Sequence, residues 1–250
     1  MCEADTRYQD LLKMEGSDMI KSFTLIKRIS DLTQNEFLQY WREEHGPLVA
    51  KIVPGFRKYV QCHPVEMNVP GIQSGLDGIA QMWWENLESL QGYLNWRQSD
   101  EAKTLKQDED KFIDTSQVVR FFGMEHVIAE STPQGNNVIK SFTMIKRRSD
   151  LTQDEFLKYW REEHGPLVIK MVHGFRKYAQ CYPVKVSGTG VLSGLVGIAQ
   201  MWWDTLELFQ DYLSWRQSEK GIVLKQDEVK FIDTNQLTRF WGKEHLIVER

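Results

Sequence analysis

The sequence predicts an α+β protein assembled from two copies of one β-α-β-β-α-β unit. Two observations carry that expectation. Sliding the chain of 250 residues against itself by 119 positions aligns Ile20–Ser131 with Ile139–Arg250 without a gap, and about 75 of those 112 positions are identical. Within each copy, short β-branched and aromatic runs alternate with capped amphipathic stretches in a fixed order. A period this long exceeds that of solenoid repeats, so each copy is read as a whole domain.

The elements follow in order. Ile20–Arg28 (IKSFTLIKR) reads as a strand. Thr33-Gln-Asn-Glu36 is a capping box that opens a helix carrying Phe37, Trp41, Leu48 and Ile52 on one stripe. Gly55–Pro64 is a second strand and Gly78–Trp84 a third. Leu87, Leu90 and Leu94 mark a second helix that runs on brokenly toward Phe112, and Val118–Ile128 closes the copy as a fourth strand. This is the split βαβ, or ferredoxin-like, order. Helices cover one face of such a sheet. The second copy can cover the other, sheet against sheet, as an internal pseudo-dimer.

The expected layout is an N-terminal extension over residues 1–19, a domain over 20–129, a linker over 130–138 and a second domain over 139–250. The extension holds one helical turn around Tyr8, Leu11 and Leu12. The join contains Pro, Gly and Asn, and its eight central residues span at most ~28 Å, which sets the domains side by side.

Composition narrows the function. With 41% hydrophobic and 26% charged residues and a net charge of −4, the surface does not draw nucleic acid or an anionic membrane. No run approaches the ~20 apolar residues of a membrane span, and no apolar leader opens the chain, so a reducing, cytoplasmic setting is expected. Cys2, Cys62 and Cys181 form no disulfide framework, and no CxxC or HxxxH spacing suggests a metal cage. Ser/His/Asp orders, P-loops and Gly-rich dinucleotide loops are also missing.

One stretch, YWREEHGPLV, stands unchanged at Tyr40–Val49 and Tyr159–Val168. With Phe37 set to 0° on a helical wheel, Trp41 falls near about 40°, His45 near about 80° and Glu44 near about −20°. Pro47 cannot donate to the carbonyl of Glu43, so the helix should kink or restart there, with Pro47 opening the new turn. Two readings of His45 and its copy His164 are open. The ring either donates to a freed carbonyl and locks the kink, or points into a cavity between helix and sheet as a general acid or base.

Trp41-x-x-x-His45-Gly46-Pro47-Leu48, followed by Gly55-Phe-Arg-Lys-Tyr59-x-Gln61, resembles the EthD family of dimeric α/β-barrel proteins. The second copy matches at Trp160, His164-Gly165-Pro166-Leu167 and Gly174-Phe-Arg-Lys-Tyr178-x-Gln180. The resemblance implies two ferredoxin-like domains that pair through their sheets into an intramolecular dimeric α/β barrel. It also implies a helix–sheet pocket around the motif histidine. Related barrels include cofactor-free monooxygenases, polyketide cyclases, decarboxylases and dehydratases, and haem enzymes. Family members usually dimerise from single-domain chains, so further self-association stays open for a chain that carries both halves.

Alternation places Tyr59, Gln61 and His63 on one face of the second strand, and Tyr178, Gln180 and Tyr182 on its copy. That face suits either a pocket wall or a wet barrel interior. The third strand adds Trp83 and Trp202, which read as packing or as ligand stacking. Glu125-His126 and Glu244-His245 read as strand-end ion pairs. The expected function is a cofactor-independent acid–base enzyme, a cyclase, dehydratase or decarboxylase, acting on an aromatic or polyketide-like small molecule. His45, His164, Tyr59 and Tyr178 are the catalytic candidates. Trp41, Trp160, Gln61, Gln180, His63, Tyr182, Trp83 and Trp202 are the substrate-binding ones. The alternatives are a haem or oxygen-dependent monooxygenase, with His45 or His126 as axial ligand, and a non-catalytic small-molecule binding module.

Overall fold

A computed structural model describes residues 19–67, 75–132, 138–186 and 194–250. The helical turn expected near Tyr8 and most of the linker lie outside them. In the first repeat β1 is Ile20–Ile26, α1 Gln34–Tyr40, α2 Gly46–Ile52, β2 Phe56–Pro64, β3 Gly78–Trp84, α3 Leu87–Trp96, α4 Lys103–Glu109 and β4 Val119–Glu130. The second repeats this order as β5 Ile139–Ile145, α5 Gln153–Tyr159, α6 Gly165–Met171, β6 Phe175–Pro183, β7 Gly197–Trp203, α7 Leu206–Trp215, α8 Glu219–Glu228 and β8 Thr238–Glu249. The strands hydrogen-bond in the order β1-β3-β2-β8-β5-β7-β6-β4 and close into an antiparallel barrel. The chain is therefore α+β, two ferredoxin-like repeats in one barrel.

Most expected elements hold, with shifted ends. Thr33 caps α1 as a capping box: Glu36 N–H donates to its hydroxyl at 3.3 Å, and its own N–H donates to the Glu36 carboxylate at 2.8 Å. β1 stops two residues early. Arg28 forms an isolated bridge to Ile113 and gives its backbone N–H to Asp77 at 3.0 Å. The broken second helix is α3, a short 3₁₀ turn at Asp100–Ala102, then α4. Across the break, the Arg97 guanidinium grips Glu109 through two hydrogen bonds of 2.6 and 2.9 Å. The last strand runs on to Glu130.

Two compact units emerge, and each takes a piece of the other repeat. Of the described residues, one holds 19–67, 75–123, 184–186 and 240–250; the other holds 124–132, 138–183 and 194–239. The cause in the first is direct: β2 pairs with β8, setting Gln61 opposite His245 and His63 opposite Lys243. Within that unit Ile26, Phe37, Trp41, Phe112 and Ile113 pack the helices onto the sheet. In the other, Ile145, Phe156, Leu157, Trp160, Tyr182, Phe231 and Ile232 do the same.

Candidate functional site

Between α1 and α2 the chain stays helical. Trp41–His45 widens into a π-helical turn, with Tyr40 and Gly46 on either side still in the right-handed helical region. Gly46 N–H reaches back five residues to the Trp41 carbonyl. Pro47 then falls in the first turn of α2, where its missing N–H is no loss. The expected restart at Pro47 is thus present, and the break before it is bridged by an extra residue per turn, a device recurrent at functional sites. Trp160–His164 repeats it.

The Trp41 carbonyl, already bonded by Gly46, has a second partner on the sheet. Gln61, fully buried, donates Nε2 to Trp41 O at 2.7 Å and to the Tyr59 hydroxyl at 3.1 Å. Trp41 Nε1 also donates to Tyr59, at 3.2 Å. Gln61 Oε1 is left to accept from His63 Nε2 at 3.0 Å, which leaves Nδ1 of that ring without a proton. The Trp41 ring lies so close over β3 that a Cβ on Gly78 would stand 2.3 Å from it. Only glycine fits there. In the second repeat Gln180 bonds Trp160 O at 3.0 Å and Tyr178 at 2.8 Å, and Tyr182 donates to Gln180 Oε1 at 2.5 Å.

His45 turns away from the helix backbone. Its Nδ1 lies 2.8 Å from Asp108 Oδ2 on α4, and the ring is 5% exposed. The Phe112 ring flanks it at 4.8 Å. Tyr40 donates its hydroxyl to the other oxygen, Asp108 Oδ1, at 2.6 Å. Burial favours the neutral acid at Asp108, but the bonds from His45 and Tyr40 outweigh it and hold the carboxyl down at about 2. An ionised carboxylate only accepts, so Nδ1 carries the proton and Nε2 presents a lone pair. Among the described residues Nε2 has no hydrogen-bond partner. The copy is close: His164 Nδ1 to Asp227 at 2.8 Å, Tyr159 to Asp227 at 2.6 Å and Phe231 at 4.9 Å.

Sequence reasoning brought several of its candidates together and missed others. Trp41, His45, Tyr59, Gln61 and His63 do share the helix-facing side of the sheet, as do Trp160, His164, Tyr178, Gln180 and Tyr182. Tyr59 and Tyr178 are buried, each tied into this lattice, and burial pushes their phenols well above the ordinary value. Trp83 and Trp202 lie elsewhere. Trp83 pairs in register with Lys58, on the face of β2 opposite Tyr59, and Lys21 Nζ stands 4.4 Å over its ring. Trp202 sits likewise under Lys140 at 4.2 Å. The Glu–His dipeptides are not ion pairs, because alternation turns the two side chains to opposite faces. Glu125 meets Lys177 at 3.3 Å, while His126 stacks on Tyr182 at 4.5 Å. His245 likewise faces His63, at 4.3 Å. Asp108, Asp227 and Tyr40 went unnoticed; the one available signal was that Leu-Lys-Gln-Asp-Glu recurs intact at 105–109 and 224–228.

The two repeats differ beside this core. His63 lies flat on Trp41, at 5.0 Å and 20°, whereas Tyr182 meets Trp160 edge-on at 5.4 Å and 63°. Burial, then the nearby His245 and Arg42, hold the His63 imidazole down at about 3, so it is uncharged at neutral pH. Among the described residues no cluster of three or more His, Cys, Asp or Glu is placed to hold a metal ion.

Fold and site together define a duplicated ferredoxin-like barrel chain with a buried His–Asp pair in each repeat. The profile of the EthD domain matches residues 30–116 and 148–235, and the chain belongs to the EthD-domain family, with the domain in tandem. Among solved structures it resembles an anthrone oxidase-like protein, at 13% identity and a TM-score of 0.61, over 94% of this chain and 95% of that one. It also resembles a provisionally assigned monooxygenase from Fusobacterium nucleatum, at 7% identity and 0.53, over 94% of each chain. A mutant chlorite dismutase from Candidatus Nitrospira defluvii follows, at 11% and 0.50, over 92% of this chain and 93% of that one. At such identities the likeness is one of fold. No curated protein matches the chain in sequence. No helix among the described residues is long and apolar enough to cross a membrane.

Proposed function

We propose that this chain is a cofactor-independent acid–base enzyme acting on an aromatic or polyketide-like small molecule, with one site in each repeat. The buried His–Asp pair, repeated at the same 2.8 Å, carries the reading. Nε2 of His45 or His164 takes a proton from an activated carbon or a phenol. The electrons left behind move into the neighbouring carbonyl as an enolate, and the aspartate supplies the countercharge for the imidazolium. The imidazolium then returns its proton to a departing hydroxyl in a dehydration or to the new alkoxide in a cyclisation. In a decarboxylation Nε2 takes the proton of the substrate's carboxyl group instead. The C–C bond pair moves into the carbonyl as CO₂ leaves, and the imidazolium protonates the carbon left behind. A positioned base of this kind contributes roughly 10²–10⁴ in rate. Tyr59 and Tyr178 serve this chemistry by holding the π-helical turn through Trp41 and Gln61, and through Gln180 in the copy.

The experiment is the double variant His45→Ala/His164→Ala, assayed on a panel of aromatic β-dicarbonyl compounds beside its circular-dichroism melt. Lost turnover with an unchanged melt supports the reading. Unchanged turnover sinks it, and retained ligand binding without turnover in the parent protein marks a binding module instead.

A haem reading draws on the same pair, because a carboxylate on Nδ1 also orients a metal-binding imidazole. His45 fits that role, with Nε2 unpartnered among the described residues. His126 does not, since its Nε2 is enclosed by protein. Haem added to the purified protein and an absorbance band near about 400 nm would favour this reading over the first.

A further inference from the structure

Three donors converge on Asp108. Beyond His45 on Oδ2, both the Tyr40 hydroxyl at 2.6 Å and Lys111 Nζ at 3.3 Å reach Oδ1, and Lys111 Nζ also approaches the Tyr40 oxygen at 3.4 Å. Asp227 repeats the pattern with Tyr159 at 2.6 Å and Lys230 at 3.0 Å. The tyrosine rings rest on Phe112 and Phe231, at 5.2 and 5.1 Å. The lysines stand mostly in solvent. Of the neighbouring charges, Glu109 pairs with Arg97, and Glu228 with Arg216, with Arg239 4.0 Å away.

A carboxylate held only by histidine could turn about its Cβ–Cγ bond or take a proton on the free oxygen. The proton would let the imidazole adopt its other tautomer and withdraw the Nε2 lone pair, and the turn would lengthen the bond to Nδ1. Two donors on Oδ1 block both. The ammonium also draws on the same negative charge that the imidazole N–H uses.

We propose that Tyr40 and Lys111, and in the second repeat Tyr159 and Lys230, are positioning residues that fix the aspartate as an ionised acceptor and so keep Nε2 of the histidine as a base. The lysine moderates the grip of the aspartate on the Nδ1 proton, and the tyrosine sets its direction. The inference deepens the acid–base reading and rests on it for its catalytic meaning. Its geometry is testable without a substrate.

The test is two-bond ¹H–¹⁵N correlation NMR on the full ¹⁵N-labelled chain at neutral pH, with His45→Gln and His164→Gln spectra assigning the rings. In the parent protein both rings show the single Nδ1–H tautomer. In Tyr40→Phe the Nδ1 proton of His45 moves downfield, as its share of the carboxylate charge grows, while that of His164 stays in place, and Tyr159→Phe reverses that pattern. In Lys111→Met the Nδ1 proton of His45 moves downfield because a competing donor is gone, and Lys111→Arg restores its position. An unmoved Nδ1 proton resonance in a folded Tyr40→Phe overturns the tyrosine's role, and an unmoved resonance in Lys111→Met overturns the lysine's. Neither outcome depends on turnover, so failure of the enzyme assay would remove the acid–base reading and leave this result standing.

Discussion

Asp108 sits 63 residues beyond His45 in the chain and 2.8 Å from it in space. α4 brings it there by ending one turn short of Phe112, whose ring closes the other side of the imidazole.

Replacing Asp108 and Asp227 with Asn leaves shape nearly intact but gives Nδ1 an amide that can present either a donor or an acceptor. Turnover should fall by roughly 10²–10⁴, in kcat more than in KM. Steady-state kinetics on the substrate found in the panel assay checks this.

The same carboxyl makes a pH prediction. Its folded value, about 2, lies below the ordinary 3.8, so the folded state binds its proton less readily than the unfolded chain does. The contribution is therefore complete above about pH 4 and fades as pH falls toward 2. Thermal melts stepped through that window should drop less steeply in Asp108→Asn than in the parent; equal slopes would contradict the assignment.

His63 acts over a higher window. Its value of about 3 lies below the ordinary 6.5, so the unfolded chain takes up a proton that the folded one refuses. Stability is full above about pH 6.5 and falls as acidity increases toward pH 3. His63→Tyr, which installs the residue found at 182, should lessen the loss of urea midpoint between pH 7 and pH 4.5.

Glycine at 78 is a steric requirement. Gly78→Ala puts a methyl 2.3 Å from the Trp41 ring and should cost on the order of 1–3 kcal/mol or more, whereas Gly92→Ala on α3 meets nothing within 4 Å. The second change should be neutral or gain about 0.5–1 kcal/mol. Parallel urea titrations separate the two.

Gln61→Leu removes the side-chain donor from the Trp41 carbonyl and leaves His63 without its acceptor. A loss of about 1–3 kcal/mol is expected, and hydrogen exchange at Gly46 should quicken as the π-helical turn loosens. Exchange at Gly46 as slow as in the parent would show that the turn holds without the sheet.

The repeat, the order of elements and the unusual helix were legible in the sequence because each is a local or periodic signal. A shift of 119 exposes the duplication, and Pro47 announces that one helical bond is missing. That the helix widens into a π-helical turn tied to the sheet was not legible, since Gln61 reaches the Trp41 carbonyl from another element. The reading that gave His45 to the kink failed because Asp108, distant in the sequence, holds its Nδ1 instead. Trp83 was misjudged differently. Strand alternation put it correctly beside Gln81, but it could not say which face of β3 the helices would cover. Asp108 lies on a helix too short for periodicity to speak, and its meaning depends on a distance no spacing encodes.

Each compact unit includes the closing strand segment of the other repeat, and with it His245 beside His63, or His126 beside Tyr182. Heredity and geometry therefore divide the molecule along different lines. A substitution arising late in one repeat is felt beside the site of the other, so each site can be tuned by changes outside its own half of the gene.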